Sequence, residues 1–302
     1  MDTTWPVILD MDPGHDDALA LLAALALLPV VGVSVVAGNQ TVDKTFLNAR
    51  RVLAMAGQSL PVARGYAKPL VRPLRTAAHV HGASGLDGYA FPPLPEDPAP
   101  LYAMSWLETV FSAQPHLNWI ATGPLTNVAA FLLGHPHRRH QVRRLCIMGG
   151  ALSGGNITPA AEFNFYVDPE AAAIVLASGL DIWLVGLDVT HRALLPASAI
   201  DRFRELRPPL GEMLWSLFQF FRHHEPHSRE RGTPIHDVLA VMALVHPELF
   251  EWRETPLTVV TEGADRGALK PTDAGPPVHV AVNVDVDGAL AWLDETLQRY
   301  RP

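Results

Sequence analysis

Short β-branched runs alternate with longer stretches of helical periodicity along most of this chain, and that order limits the possible folds more than any other property of the sequence. Val7-Ile8-Leu9 reads as a first strand and Asp17 to Leu28 as a helix. Val30 to Val36 is a second strand, and Val42 to Ala56 a second helix with apolar residues near 3.6 spacing. Trp119-Ile120-Ala121 precedes a helix from Asn127 to Leu133, and Leu145 to Met148 is a strand before a glycine-rich turn. Ala171 to Ala177 is helical and Ile182 to Val185 again a strand. Uncharged strands in β-α-β-α order predict an α/β fold, a single doubly wound and mostly parallel sheet with helices on both faces.

At 302 residues the chain suits one such domain carrying insertions, and no segment between the elements resembles a linker, so residues 1–302 are expected to form a single domain. Arg72 to Pro100, with Phe91-Pro92-Pro93-Leu94-Pro95, is too rich in Gly and Pro for a regular helix. Arg222 to Pro234 is crowded with His and Arg and reads as a mobile loop. Insertions of this length in an α/β domain often cover active sites.

Composition removes several classes of function. Hydrophobic residues make up 48% and charged residues 18%, the balance of a folded globular protein. A formal charge of −8 repels phosphate backbones, which argues against nucleic acid as a partner and suits an uncharged small molecule or a metal ion. The one cysteine, Cys146, lies in the apolar run Leu145-Cys146-Ile147-Met148, so it reads as a core thiol, and a cysteine-based zinc site is excluded. Ala18 to Ala37 carries no charge and is about as long as a bilayer is thick, yet Pro29 and Gly32 interrupt it and no basic flank orients it. A buried helix followed by a buried strand accounts for it better. No basic segment precedes a signal-like core, so the expected location is cytoplasmic.

In open α/β sheets ligands bind beyond the carboxyl ends of the strands, and the polar residues of this sequence cluster there. The first strand runs into Asp10-Met11-Asp12-Pro13-Gly14-His15-Asp16-Asp17, the second into Gly38-Asn39, the third into Thr122-Gly123-Pro124 and the last into Gly186-Leu187-Asp188. Asp10, Asp12, Asp16 and Asp17 repel one another unless something positive lies between them. A helix N-terminus supplies only about half a charge. A divalent cation answers the whole set, and all-oxygen ligation favours calcium or magnesium over zinc or copper. Read as caps and turn formers, one or two of these aspartates need no ion. His236-Asp237 opens the apolar helix Val238 to Val245, where the Asp can cap and the His can move protons near neutrality. Gly154-Gly155-Asn156 precedes Ala161-Glu162-Phe163-Asn164. If the latter is extended, Glu162 and Asn164 point one way and Phe163 the other. Such acidic and amide groups suit sugar hydroxyls better than phosphate.

These residues resemble the inosine-uridine-type nucleoside hydrolases. Asp10-Met11-Asp12-Pro13-Gly14-His15-Asp16-Asp17-Ala18 looks like their signature, and the likeness continues through Gly38-Asn39-Gln40, His81-Gly82-Ala83-Ser84-Gly85-Leu86-Asp87-Gly88 and Thr122 to Asn127. It runs on through Met148-Gly149-Gly150, Gly155-Asn156, Ala161 to Asn164, Val185 to His191 and His236-Asp237, in family order over almost the whole chain. The resemblance implies the Rossmann-like nucleoside hydrolase fold and cleavage of the N-glycosidic bond of ribonucleosides to free base and ribose. It implies a calcium ion held by Asp12, Asp17, Asp237 and the backbone carbonyl of Thr122, with Asp12 also the general base for the attacking water. Asp16, Asn39, Asn156, Glu162 and Asn164 match residues that hold the ribose, His236 the histidine beside the departing base, and His81 a position near the base pocket. Asp10 becomes a support for the ligands, Asp188 and His191 structural residues, and the assembly a homodimer or homotetramer.

The segment Phe218 to Gly232, where family members place base-contacting residues, contains no tyrosine, which leaves base preference open. The histidines at 135–140 and 223–224 read as solvated surface groups. Two rivals remain at this stage. A haloacid dehalogenase-type phosphohydrolase also uses Asp-x-Asp after its first strand, but it wants a Thr where Pro13-Gly14 stand, and Lys44, Lys68 and Lys270 lack a phosphate-binding context. A non-catalytic, calcium-dependent ribose-binding protein would share the fold; the intact set Asp12, Asp16, Asp17, His236 and Asp237 argues against it.

Overall fold

A computed structural model of the chain describes residues 4–95, 101–226 and 232–302. The first half runs β1 (Val7–Met11), α1 (His15–Leu27), β2 (Val30–Val35), α2 (Val42–Met55), β3 (Val62–Arg64), α3 (Ala78–His81), α4 (Ala103–Ala113), β4 (Leu117–Ala121), α5 (Thr126–Gly134) and β5 (Val142–Met148). The second runs α6 (Phe163–Val167), α7 (Pro169–Leu176), β6 (Ile182–Val185), α8 (Leu187–Thr190), β7 (Leu194–Leu195), α9 (Ala197–Arg202), α10 (Leu210–His224) and β8 (Thr233–Pro234). It closes with α11 (His236–Val245), β9 (Phe250–Val259), β10 (Leu269–Pro271), β11 (Pro277–Val284) and α12 (Val286–Leu297).

The main sheet has the order β10-β9-β11-β6-β5-β4-β1-β2-β3. From β11 to β3 every pairing is parallel, whereas β9 pairs antiparallel with both β10 and β11. Along β1 the side chains alternate between two cores: Val7, Leu9 and Met11 join the helices α1, α10, α11 and α12, while Ile8 joins α4, α5 and α7. Both faces are apolar because helices cover both, as parallel sheets require. The chain steps from β1 outward to β2 and β3, then returns to β4 on the other side of β1. The gap between β1 and β4 is therefore the switch point where α/β sheets bind ligands.

The uncharged run from Ala18 to Ala37 divides as expected into the end of α1 and all of β2, turning at Pro29. No helix among the described residues is long and apolar enough to cross a membrane. Cys146 is buried in β5. Three expectations need correction. Ala161 to Asn164 is not extended, because the Glu162 carboxylate accepts hydrogen bonds from the backbone N–H groups of Asn164 and Phe165 and so starts α6. Arg222 to His224 is not loop but the last turn of α10; residues 227–231 of that predicted loop lie outside the described residues, and Thr233–Pro234 pairs with Leu194–Leu195. The insertion from Arg72 contains the short helix α3, whose residues reach the sheet edge; its last part, 96–100, is outside the described residues.

Candidate active site

Each element contributes to the site through its carboxyl end or its first helical turn. β1 ends at Met11, and Thr122 N–H donates to the carbonyl of Asp10, so β4 holds the start of the acidic stretch in register. α1 begins directly after Gly14 and places Asp16 and Asp17 in its first turn, where the helix dipole favours negative charge. Gly14 has no substitute here: a Cβ would stand 2.7 Å from the His81 ring and 2.8 Å from Asn39 Nδ2. Gly38 is equally constrained, since a Cβ would stand 2.1 Å from Asp12 Oδ2. α11 begins at His236 and brings Asp237 in from far along the chain.

Asp16, Asp17 and Asp237 bring one carboxylate oxygen each to within 4.8 Å of one another, the only such cluster among the described residues. Asp12 stands beside this trio rather than in it. Its Oδ2 accepts from Asn39 N–H at 2.7 Å, and its buried Oδ1 has no partner. Asp17 is held by Gly14 N–H at 2.9 Å, Thr122 Oγ1 at 2.7 Å and Asn39 Nδ2 at 3.2 Å, and shares a hydrogen bond with Asp237. Burial raises the pKa of Asp12, Asp16 and Asp237 well above the usual carboxylate range, and their mutual charges push the same way, Asp17 acting on all three. Asp17 is raised as well, chiefly by burial, against several lowering hydrogen bonds. Four acids so placed cannot all ionise unaided.

Asp10 lies behind the cluster. It accepts from Ser34 Oγ and from Asn127 Nδ2 at 2.9 Å, and burial lifts its pKa to about 7. Thr122 is tied at both ends: its hydroxyl donates to Asp17, and its carbonyl accepts from Asn164 Nδ2 at 2.7 Å. Glu162 accepts from Gly150 N–H at 2.9 Å as well as from α6, and Asn156 Oδ1 accepts from Phe163 N–H at 2.9 Å.

Above this floor opens a cleft of about 680 Å³ including its mouth, within the ~300–1,000 Å³ usual for small-molecule sites. Asp16, Asn39, His81, Thr122, Asn156, Glu162, Asn164, His236 and Asp237 all line it, while Asp12 and Asp17 are wholly buried beneath. Nine residues singled out in seven separate stretches of sequence thus meet at one place. His236 Nδ1 lies 2.7 Å from Thr190 Oγ1, and His191 stands edge-on to it with ring centroids 5.5 Å apart. Asp188 has the structural role expected of it, receiving Leu152 N–H, Ser153 N–H and Ser153 Oγ. The clustered histidines lie toward the surface: His137, His140, His223 and His224 are exposed, His135 is half-buried and pairs with Glu108, and His223 and His224 bond carbonyls one turn back in α10.

Sequence reasoning missed several lining residues, namely Ala77, His79, Phe163, Phe221, Glu225 and Pro226. It also missed His15, which is fully buried with its Nδ1 3.0 Å from that of His81. The phenylalanine run at 218–221 was a usable signal, since an apolar helix end next to a polar loop can wall a pocket.

A doubly wound sheet with buried acids under a cleft at its switch point defines a small-molecule enzyme site that can hold a metal ion. Residues 7–291 match the family described as inosine-uridine preferring nucleoside hydrolase, and the chain belongs to that family, a group of glycosidase-type hydrolases. It is 43% identical over 310 residues to the pyrimidine-specific ribonucleoside hydrolase RihA of Salmonella paratyphi B, covering 98% of this chain and 99% of that one. Among solved structures it is similar to a plant nucleoside hydrolase (32% identity, TM-score 0.90, 97% and 98% of the two chains). It is also similar to a purine-preferring ribonucleoside hydrolase from Gardnerella vaginalis (28% identity, TM-score 0.90, 98% of each chain).

Proposed function

We propose that this enzyme hydrolyses the N-glycosidic bond of pyrimidine ribonucleosides with the help of a calcium ion, releasing ribose and the free base. The observation that carries the reading is the buried acid cluster: burial raises the pKa of Asp12, Asp16, Asp17 and Asp237, neighbouring acids raise Asp12, Asp16 and Asp237 further, and Asp12 Oδ1 has no partner. That donor set fits a hard divalent cation, because it is all oxygen and short of positive charge. Asp12, Asp17, Asp237 and the Thr122 carbonyl would hold the ion. When bound, it supplies Lewis acidity that makes water a better nucleophile at neutral pH.

The chain's own residues do the rest. Asp12 is fixed by Asn39 N–H at Oδ2, which leaves Oδ1 to take the proton of the attacking water. As water adds to the anomeric carbon, the C–N bond breaks and its electron pair leaves with the base. Positive charge develops on the sugar, and buried carboxylates near it stabilise that charge. Asp16, Asn39, Asn156, Glu162 and Asn164 line the cleft as hydroxyl-binding groups and hold the ribose. His236, set by Thr190 and the first turn of α11, protonates the departing base from the other side of the bond. His81 lies on the base side.

Preference for pyrimidines is supported by the 43% identity to RihA over nearly the full length of both chains, against 28% to the purine-preferring enzyme. The assembly is proposed to be a homodimer or homotetramer. A panel of uridine, cytidine, inosine, adenosine and guanosine, each with and without a chelator and calcium re-addition, tests the reading. Calcium-dependent release of ribose from uridine and cytidine first is the expected result. A folded protein that releases no ribose, or releases it equally well in chelator, overturns it.

A further inference from the structure

His81 lines the cleft, and the buried His15 holds its ring from inside the protein. His15 Nε2 lies 2.8 Å from the carbonyl oxygen of Asp87, and the two Nδ1 atoms are 3.0 Å apart. Phe221 stacks on both rings, with centroids 5.3 Å from His15 and 5.5 Å from His81, and Phe220 stacks on His15 at 5.3 Å. Two phenyl rings thus flank His15, and one of them also stacks on His81.

The hydrogens in this chain follow from the groups at its end. A carbonyl oxygen only accepts, so His15 Nε2 carries a hydrogen. A neutral His15 then has a bare Nδ1, and the 3.0 Å contact closes only if His81 Nδ1 is the donor. The opposite polarity needs an imidazolium at His15, a charge fully buried and walled by two phenyl rings. The main-chain N–H of His15 also points at His81 Nδ1, but from 3.4 Å it is the weaker contact.

We infer that His15 is a positioning residue that fixes His81 as its Nδ1–H tautomer, so that His81 offers the cleft a hydrogen-bond acceptor at Nε2. The substrate group that meets His81 is therefore a donor, either an N–H of the base or an O–H of the sugar. The nature of that substrate rests on the nucleoside reading above; the tautomer does not.

Long-range 1H–15N correlation of the histidine rings in calcium-loaded, 15N-histidine-labelled protein decides the tautomer, with His81 assigned by the signals lost in His81→Asn. A protonated Nδ1 and a bare Nε2 on His81 are expected, with the proton redistributing toward Nε2 in His15→Leu. A proton on Nε2 in the unsubstituted protein, or an unchanged His81 pattern in folded His15→Leu, overturns the inference. If His15→Leu does not fold, the spectrum of the unsubstituted protein still decides. In kinetics, His15→Leu lowers kcat/KM for uridine by about two- to tenfold, the worth of one hydrogen bond. Of 3-methyluridine and the 2′-, 3′- and 5′-deoxyuridines, the analogue lacking the relevant donor is unaffected by the same substitution, which tells base from sugar. Equal losses for uridine and all four analogues overturn the acceptor role. Because the spectrum needs no turnover, an unsubstituted protein that cleaves no nucleoside counts against the proposed function and leaves the tautomer to be judged separately.

Discussion

The carboxyl ends of β1 and β6 both carry aspartates, and the two are finished in opposite ways. After β6, Asp188 receives Leu152 N–H at 2.8 Å, Ser153 N–H at 2.9 Å and the Ser153 hydroxyl, so the chain itself fills its lone pairs. Asp87 repeats the pattern with Ala83 and Ser84; burial works to raise its pKa, but those hydrogen bonds hold it below the ordinary value. After β1, Asp12 keeps one oxygen without a partner, and its neighbours Asp16, Asp17 and Asp237 are themselves acids raised by burial, Asp16 and Asp237 by neighbouring charge as well. A carboxylate supplied with N–H donors shapes a loop, whereas one facing other carboxylates waits for a cation.

That contrast breaks most visibly at Asp12. Asp12→Asn should cut kcat by about 10³-fold or more while the protein stays folded, combining loss of the base with a weaker cation site. Turnover within tenfold of the parent would place Asp12 with Asp188 as a merely structural acid. His236→Ala comes next, at about 10²–10⁴-fold in kcat, and unequally across bases because their leaving-group basicity differs. Equal loss on every nucleoside in the panel would count against a base-side acid.

Stability sharpens the comparison further. Asp12, Asp16, Asp17 and Asp237 have folded pKa values above the 3.8 of a free aspartate, so the folded, metal-free protein retains protons that the unfolded chain has released. Its stability therefore falls as pH rises from about 4 through the raised values. Calcium bound at this cluster would displace those protons, and its stabilisation, about 2.7 kcal/mol at a hundredfold excess over Kd, should then grow as pH rises above about 4. Thermal melts at several pH values with calcium or chelator measure it; a calcium shift that shrinks with pH would contradict the cluster's role. Asp188→Asn should cost about 1–3 kcal/mol whether or not calcium is present, since the donors that lose their partner, two backbone N–H groups and the Ser153 hydroxyl, belong to a loop and not to the acid cluster. Smallest of all, Cys146→Ala should leave kcat and KM unchanged and cost about 1–2 kcal/mol, because the thiol is buried with its pKa pushed up to about 12.

The central strands and their polar ends were legible in the sequence because both signals are local. Val7-Ile8-Leu9 is uncharged and leads straight into its aspartates, and the uncharged strands β2 and β4 likewise run into the polar residues Asn39 and Thr122. What stayed hidden depends on partners distant in sequence. Nothing near Glu162 tells whether its carboxylate will cap a helix or lie along a strand; the turn back of α6 onto Gly150 decides that. Asp16 and Asp237 belong to one cluster only once α1 and α11 pack side by side. The antiparallel edge formed by β9 and β10 was not read at all, since its strand β9 mixes exposed charges with few buried side chains. The Arg222–His224 turn looked like loop because its polar residues face solvent, while Phe218 and Phe221 on the same helix are buried.

The two halves of the cleft hang on parts of the molecule with very different freedom. The acids stand just after β1, in the first turn of α1 and at the start of α11, at the edge of a sheet held by neighbours on both sides. His79, His81, Phe221, Glu225 and Pro226 hang instead on the excursion after β3 and on the carboxyl end of α10. Amide exchange should therefore find the floor among the slowest protons of the protein and the rim among the faster ones. Nucleosides can then enter and bases depart by breathing of the rim alone, with the ion kept in place from one turnover to the next.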